Sequence, residues 1–98
     1  MKNIVSRRTL VEFYTKHADA ETPLLTWYQT AMKRNWTSPA DVKKDYSTAD
    51  IISDNRMIFN IKGNKYRLIV KFNFNMQWGW IKFVGTHAEY DKIDANTI

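Results

Sequence analysis

Two hydrophobic periods divide this 98-residue chain. In the first half, apolar side chains recur at three- and four-residue steps, the spacing that lines one face of an α-helix. Leu10, Val11, Phe13 and Tyr14 follow Ser6, whose hydroxyl can cap a helix start, and together they predict a helix running to about His17. Thr22 and Pro23 give a second start signal; Leu25, Tyr28, Met32 and Trp36 then predict a helix of about four turns. Ser38, Pro39 and Asp41 open a third, short turn of helix through Lys44, with loop expected from there to Ser53. Ahead of the first helix, Asn3 to Val5 reads as a short edge strand.

From Arg56 the period falls to two. Met57, Phe59 and Ile61 alternate with Arg56, Ile58, Asn60 and Lys62, which predicts a strand with two distinct faces. Gly63-Asn64 then reads as a two-residue hairpin turn of the primed type. The next strand alternates Tyr66, Leu68, Val70, Phe72 and Phe74 with Lys65, Arg67, Ile69, Lys71 and Asn73. A third long strand sets Trp78, Trp80, Lys82 and Val84 on one side and Gly79, Ile81, Phe83 and Gly85 on the other. Thr86 and Glu89 form a capping-box pair for a C-terminal helix beginning near His87. The expected architecture is α+β: an antiparallel sheet of three long strands plus the short N-terminal strand, two main helices on one face, and a short C-terminal helix. Residues 1–98 suffice for one domain with one core.

Composition changes this picture through its charge. The formal net charge is +5. From Asn55 to Ala88 the chain carries Arg56, Lys62, Lys65, Arg67, Lys71 and Lys82 and no Asp or Glu. Strand pleating sends Lys65, Arg67 and Lys71 to the side opposite the aromatic and aliphatic row, so one sheet face is expected to be core and the other basic. If Ile81 and Phe83 join the core, Trp78, Trp80 and Lys82 join the cations. Cations that follow phosphates beside flat rings that accept bases suit single-stranded RNA. Two other classes fit the same face: an RNA-binding module without catalysis, and a protein-interaction domain docking an acidic partner. The absence of cysteine excludes a disulfide framework and thiolate metal ligation. Two isolated histidines, His17 and His87, make no metal site, and no cofactor is expected. No apolar run approaches a membrane span and the N-terminus lacks a signal-peptide pattern, so a cytoplasmic protein is expected.

RMIFNIKGNKYRLIVKF followed by WIKFVGTHAEYDKI resembles the HigB toxins, members of the broader RelE-like family of ribosome-dependent mRNA endonucleases. The pairing of G-N-x-x-R-L at the strand-turn-strand with V-G-T-H-x-E-Y-D closing the last strand carries the resemblance, over about residues 56 to 93. It implies a RelE-like fold and a cytoplasmic toxin that cleaves mRNA in the ribosomal decoding site without a metal ion. It also implies neutralisation by a HigA-like helix-turn-helix antitoxin.

Metal-free RNA cleavage uses the substrate's 2′-hydroxyl as nucleophile. The protein must then assist its deprotonation, stabilise the charge on the phosphorane and protonate the departing 5′-oxygen. Arg67 matches the arginine of the family's G-x-x-R segment, and its planar, permanently charged fork suits two phosphate oxygens; the alternative is a structural pairing with Asp91. His87 is the one side chain in the basic half that ordinarily titrates near neutrality, which fits a base or an acid, or a structural bond to Thr86 or Glu89. Tyr90, three residues on, shares a helix face with His87. The resemblance gives a tyrosine here a role in stacking on or transferring a proton to the reacting nucleotide; the alternative is core packing. Lys71, Lys82 and Lys65 with Trp78 and Trp80 would line the RNA path, and Arg56 and Lys62 would contact the outer backbone. Many RelE-like enzymes carry a second arginine in the C-terminal catalytic segment; this chain has none after Arg67, so that role is either absent or falls to Lys82 or His87. His17, on the first helix, is expected to be structural.

Overall fold

The computed structural model describes all 98 residues. Elements run β1 (Asn3–Val5), α1 (Arg7–Lys16), a 3-10 turn (Ala18–Ala20), α2 (Glu21–Lys33), α3 (Pro39–Asp45), β2 (Asp50–Ile51), β3 (Arg56–Ile61), β4 (Tyr66–Asn73), β5 (Trp78–Thr86) and α4 (His87–Tyr90). The five strands form one sheet in the order β1-β5-β4-β3-β2. The architecture is α+β, in keeping with a RelE-like fold, and no helix is long and apolar enough to cross a membrane.

The caps read from the sequence define three of the four helices. The Ser6 hydroxyl accepts from the Arg8 N–H at 3.2 Å and starts α1. The Ser38 hydroxyl accepts from the Asp41 N–H, with Pro39 in the first turn of α3. Both bonds of the Thr86–Glu89 capping box are present at α4. The start of α2 differs: the 3-10 turn delivers the chain directly into the helix at Glu21, so Ala20 precedes it without a side-chain cap and Thr22 lies inside the first turn. Its buried stripe is Leu24, Trp27 and Ala31, rotated by about one residue from the expected Leu25, Tyr28 and Met32. Trp36 is buried beyond the helix end.

Those side chains meet the inner face of the sheet, where Met57, Phe59, Ile61, Tyr66, Leu68, Val70 and Phe72 are all buried, as alternation predicted. Trp27 stands edge-on to Phe59 at 5.2 Å, and Trp36 edge-on to Phe72 at 5.9 Å, an arrangement aromatic quadrupoles favour. Burial of each large apolar side chain contributes on the order of 1.5–3 kcal/mol, so this double row holds helices and sheet together.

Four features of the sheet depart from the expected one. It is mixed rather than antiparallel, because β1 pairs parallel to β5, with Ile4 opposite Gly79. A hairpin allows only antiparallel neighbours, whereas β1 and β5 are separated by most of the chain and are free of that constraint. A short edge strand, β2, pairs with Met57 and Ile58 inside the stretch expected to be loop. The β3–β4 connection has four residues, Lys62 to Lys65, and its left-handed positions are Lys62 and Gly63 (φ 52 and 64°) rather than Gly63 and Asn64. Finally, β5 carries a bulge: Ile69 pairs with Phe83 but Val70 with Ile81, which leaves Lys82 as an extra residue. The bulge reverses the alternation beyond it, so Val84 joins the core with Ile81 and Phe83 turns to the opposite face.

Candidate active site

The sheet face turned away from the helices is built from cross-strand rows. Asn60, Arg67 and Gly85 form one; Ile58, Ile69 and Phe83 the next; Arg56, Lys71 and Trp80 a third; and Asn73 and Trp78 the last. Arg67 and Trp80 therefore share a face, as the pleat requires. They are not immediate neighbours: Arg67 and Lys71 are four residues apart on β4, or roughly 13 Å at the usual rise per residue.

This face is less open than its charge pattern suggested. Ile58 and Ile69 are both buried although they point away from the helix layer. The chain after α4 explains this, for it runs from the Arg67 end back to the start of β3. There the Asn96 side chain accepts from the Ser53 hydroxyl at 2.9 Å, and the main-chain oxygen of Ile98 accepts from Arg56. The tail is thus fixed at the Arg56 end of the sheet, and the face carries two chemically distinct regions.

At one end, Arg67, His87 and Tyr90 converge. The Arg67 guanidinium lies over the Tyr90 ring, 5.8 Å from its centroid, and the His87 ring is 6.4 Å from that of Tyr90. Arg67 Nη1 donates to the main-chain oxygen of Asn64 at 3.1 Å, and the side chain forms no ion pair; Asp91 is instead 3.2 Å from His87 Nδ1. The expected alternative, an Arg67–Asp91 pair, is thus absent. The charged group in contact with the imidazole is the Asp91 carboxylate, which orients the ring. Glu89 holds this turn in place: its carboxylate accepts from the Thr86 N–H at 2.8 Å, which keeps its pKa below the ordinary value.

At the other end, Lys71, Trp80 and Lys82 line a cleft of about 790 Å³ together with Asn55 and Asn73. The Trp78 and Trp80 rings lie 5.9 Å apart at 40°, both half-buried, and offer flat surfaces beside the two amines. Lys71 is not free: its Nζ donates to Asp54 at 2.8 Å. Hydrogen bonds from Lys71, then from Arg56, hold the Asp54 carboxyl below its ordinary pKa.

Three expected members of the basic face are committed to other partners, and two of them lie off the face. Arg56 occupies the right face but is only 8% exposed, with Nε and Nη2 on the Ile98 oxygen (3.1 and 2.8 Å) and Nη1 on Asp54 (3.1 Å). A guanidinium so engaged holds the tail rather than a phosphate. Lys62 and Lys65 sit in the four-residue turn, where the chain is no longer pleated, and both are drawn to Asp19 beside the helix layer. Asp19 also accepts from the Tyr66 hydroxyl, and the Lys65 and Tyr66 bonds lower its pKa to about 2. His17 is structural as expected, stacked on Phe13 at 4.4 Å and edge-on to Tyr66 at 5.5 Å.

Two members of the region went unforeseen. Asp54 lies one residue before the acid-free stretch, and only the fold brings it to Lys71. Phe83 was expected in the core, but the Lys82 bulge brings it to 6.3 Å from Tyr90. The one trace of this in the sequence is the adjacent apolar pair Phe83-Val84 after Lys82, which breaks strict alternation.

Residues 20–93 match the family model described as HigB_toxin, the RelE-like toxic component of a toxin-antitoxin system. Among curated proteins, the chain is 26% identical over 95 residues to the mRNA interferase toxin HigB of Escherichia coli K12, covering 95% of this chain and 91% of that one. It has the same identity and coverage against the mRNA interferase HigB of Shigella flexneri. The similarity to the mRNA interferase HigB of Escherichia coli O6:H1 is 23% over 93 residues, covering 93% and 90% of the two chains. With the family match spanning most of the sequence and both characteristic segments folding onto one sheet face, this chain belongs to the HigB toxins, the RelE-like toxic components of toxin-antitoxin systems.

Proposed function

We propose that this toxin is an endoribonuclease that inhibits translation by cutting mRNA on the ribosome, in the cytoplasm, and that a HigA-like helix-turn-helix antitoxin neutralises it. The observation that carries this reading is the meeting of Arg67, His87 and Tyr90 at one end of the helix-free sheet face. The relatives named mRNA interferase support the same reading.

In this mechanism the substrate's 2′-hydroxyl oxygen attacks the adjacent phosphorus. The P–O5′ bond breaks, and a 2′,3′-cyclic phosphate and a 5′-hydroxyl result. Charge accumulates on the phosphoryl oxygens, and the Arg67 fork, unpaired with any carboxylate, stabilises it by paired hydrogen bonds. His87, partly exposed and oriented through Nδ1 by Asp91, exchanges the proton at its other nitrogen with the reacting oxygens. Tyr90 holds the nucleotide by stacking or acid assistance. Trp80 and Trp78 accept flanking bases, while Lys82 and Lys71 follow the backbone. The role of a second catalytic arginine falls to His87, since Lys82 lines the separate cleft.

Translation of a defined transcript in a cell-free extract, with 5′-end mapping, tests this directly. The toxin should produce new ends within the open reading frame, and Arg67→Ala should abolish them. Transcripts left intact by the unmutated protein would overturn the reading. Salt-sensitive binding without cleavage would favour an RNA-binding module, and binding only to an acidic protein would favour a docking domain.

A further inference from the structure

The β5 bulge lies between the Arg67–Gly85 and Lys71–Trp80 rows, and its effect on Phe83 extends into the Arg67–His87–Tyr90 cluster. The inference that follows rests on the function just proposed. With regular alternation, Phe83 would face the helices. The extra residue Lys82 rotates it to the opposite face, where it stands across from Ile69, one row from Arg67 and Gly85. The ring does not project outward. It lies along the strand over Gly85: a Cβ at position 85 would meet Phe83 Cζ at 2.5 Å and Cε2 at 3.1 Å. Its other neighbour is the Tyr90 ring at 6.3 Å, inclined by 59°. Tyr90 in turn lies under the Arg67 guanidinium.

Tyr90 has few other means of holding its place. It ends a helix of only four residues, no other ring besides His87 and Phe83 approaches it, and its hydroxyl makes no hydrogen bond within the protein. A ring held by neither a hydrogen bond nor a long helix depends on the surface behind it for its orientation. Phe83 supplies that surface, and Gly85 supplies the space in which Phe83 lies flat.

We propose that Phe83 is a positioning residue for RNA cleavage: lying in the space left by Gly85 and turned outward by the Lys82 bulge, it sets the orientation of Tyr90 and, through it, of the Arg67 fork. The side chain acts through Tyr90 and touches no reacting atom. Displacement of a transition-state donor by about 1 Å lowers a rate by on the order of 100-fold, while ground-state binding changes little.

The test uses Phe83→Leu, Gly85→Ala and the double variant in full-length toxin, each first shown by its melting curve to be folded. One arm measures single-turnover mRNA cleavage on ribosomes. Phe83→Leu should lower the maximal rate by about 10- to 100-fold with half-saturation nearly unchanged. Gly85→Ala should do the same by pushing the ring away. In the double variant the alanine should add little further loss, because leucine lacks the Cζ and Cε2 atoms it would strike, and the one other close contact, Glu89 Oε1 at 3.2 Å, is the end of a side chain that can give by a few tenths of an ångström. The second arm is independent of activity: the Arg67 Nε–Hε and Tyr90 ring resonances should shift in Phe83→Leu. Parental cleavage with unmoved resonances would overturn the proposal, as would losses for Phe83→Leu and Gly85→Ala that simply add. Should the unmutated chain leave mRNA intact, the nuclease reading fails, and the resonances alone decide whether Phe83 positions Tyr90 and Arg67.

Discussion

Replacing Arg56 by alanine separates the role its charge suggests from the role its position gives it. As an outer phosphate contact, its loss would weaken RNA binding and leave the fold intact. The structure points the other way. Its Nε and Nη2 both donate to the Ile98 oxygen, and the side chain is nearly inaccessible. Hydrogen bonds from a charged donor contribute about 1.5–3 kcal/mol each, but two that share one acceptor act more nearly as one, so we take about 2 kcal/mol. The shielded aliphatic stem adds about 2 kcal/mol at roughly 0.8 kcal/mol per methylene. The bond to Asp54 is left out, because that carboxylate is mostly exposed. Release of the residue so held, Ile98, returns about 1–2 kcal/mol of backbone entropy and offsets part of the loss. A net cost of about 2–3 kcal/mol remains, equivalent in a domain of this size to a fall in Tm of roughly 10–20 °C. Thermal melting followed by circular dichroism measures this, with RNA binding titrated against salt in parallel. A Tm within about 2 °C of the parent, together with a salt slope shallower by about 0.7, would show that Arg56 contacts RNA and that the tail clamp is unimportant.

Other substitutions probe the remaining interactions. Asp54→Asn releases Lys71 from its ion pair, so RNA binding should tighten at low salt and log K should fall more steeply with log salt, by about 0.7 for each further phosphate neutralised; filter binding across a salt series decides this, and an unchanged slope would mean Lys71 does not reach the backbone. The Asp19 carboxyl, held at about 2 against an ordinary 3.8 chiefly by Lys65 and then Tyr66, has a depressed folded-state pKa. Its contribution to stability is therefore present above the ordinary value and lost as pH falls from 3.8 toward 2. Asp19→Asn should flatten the decline of Tm across that interval, and an acid limb parallel to the parent's would contradict the assignment. Gly79→Ala brings a Cβ to 2.9 Å from Ile4 Cδ1 and 3.3 Å from Val70 Cγ1, crowding β1 against the sheet. Urea denaturation should show a loss of about 1–3 kcal/mol, and no loss would mean that β1 shifts freely.

The fold was legible wherever a local rule governed the backbone. Ser6, Ser38 and Thr86 each satisfy helix N–H groups within three residues, and the period-two rows on β3 and β4 bury the same side chains that alternation selects. What escaped depended on long-range geometry. A two-residue strand such as β2 carries no periodicity of its own and exists because β3 presents an edge to it. The Lys82 bulge changes the face of every residue after it, yet nothing in local propensity requires one residue too many. At the site, Arg67 and Tyr90 were singled out by the resemblance of two short motifs to a known family and His87 by its side-chain chemistry, and strand parity with helix spacing accounts for their meeting at one end of the sheet. The fates of Arg56, Lys62 and Lys65 were not legible. Their partners, Ile98 and Asp19, lie more than forty residues away in sequence, and a count of charges does not reveal which cations already have a counter-ion or an acceptor.

The most direct measurement is the single-turnover cleavage rate of ribosome-bound mRNA for Arg67→Ala beside Lys65→Ala, two cations two residues apart on the chain. The structure commits Lys65 to Asp19 and leaves the Arg67 fork without a carboxylate partner. Arg67→Ala should slow cleavage by on the order of 100-fold or more, while Lys65→Ala should cleave at close to the parental rate. Equal rates for the two variants, or a larger loss at Lys65, would contradict a site built on Arg67, His87 and Tyr90.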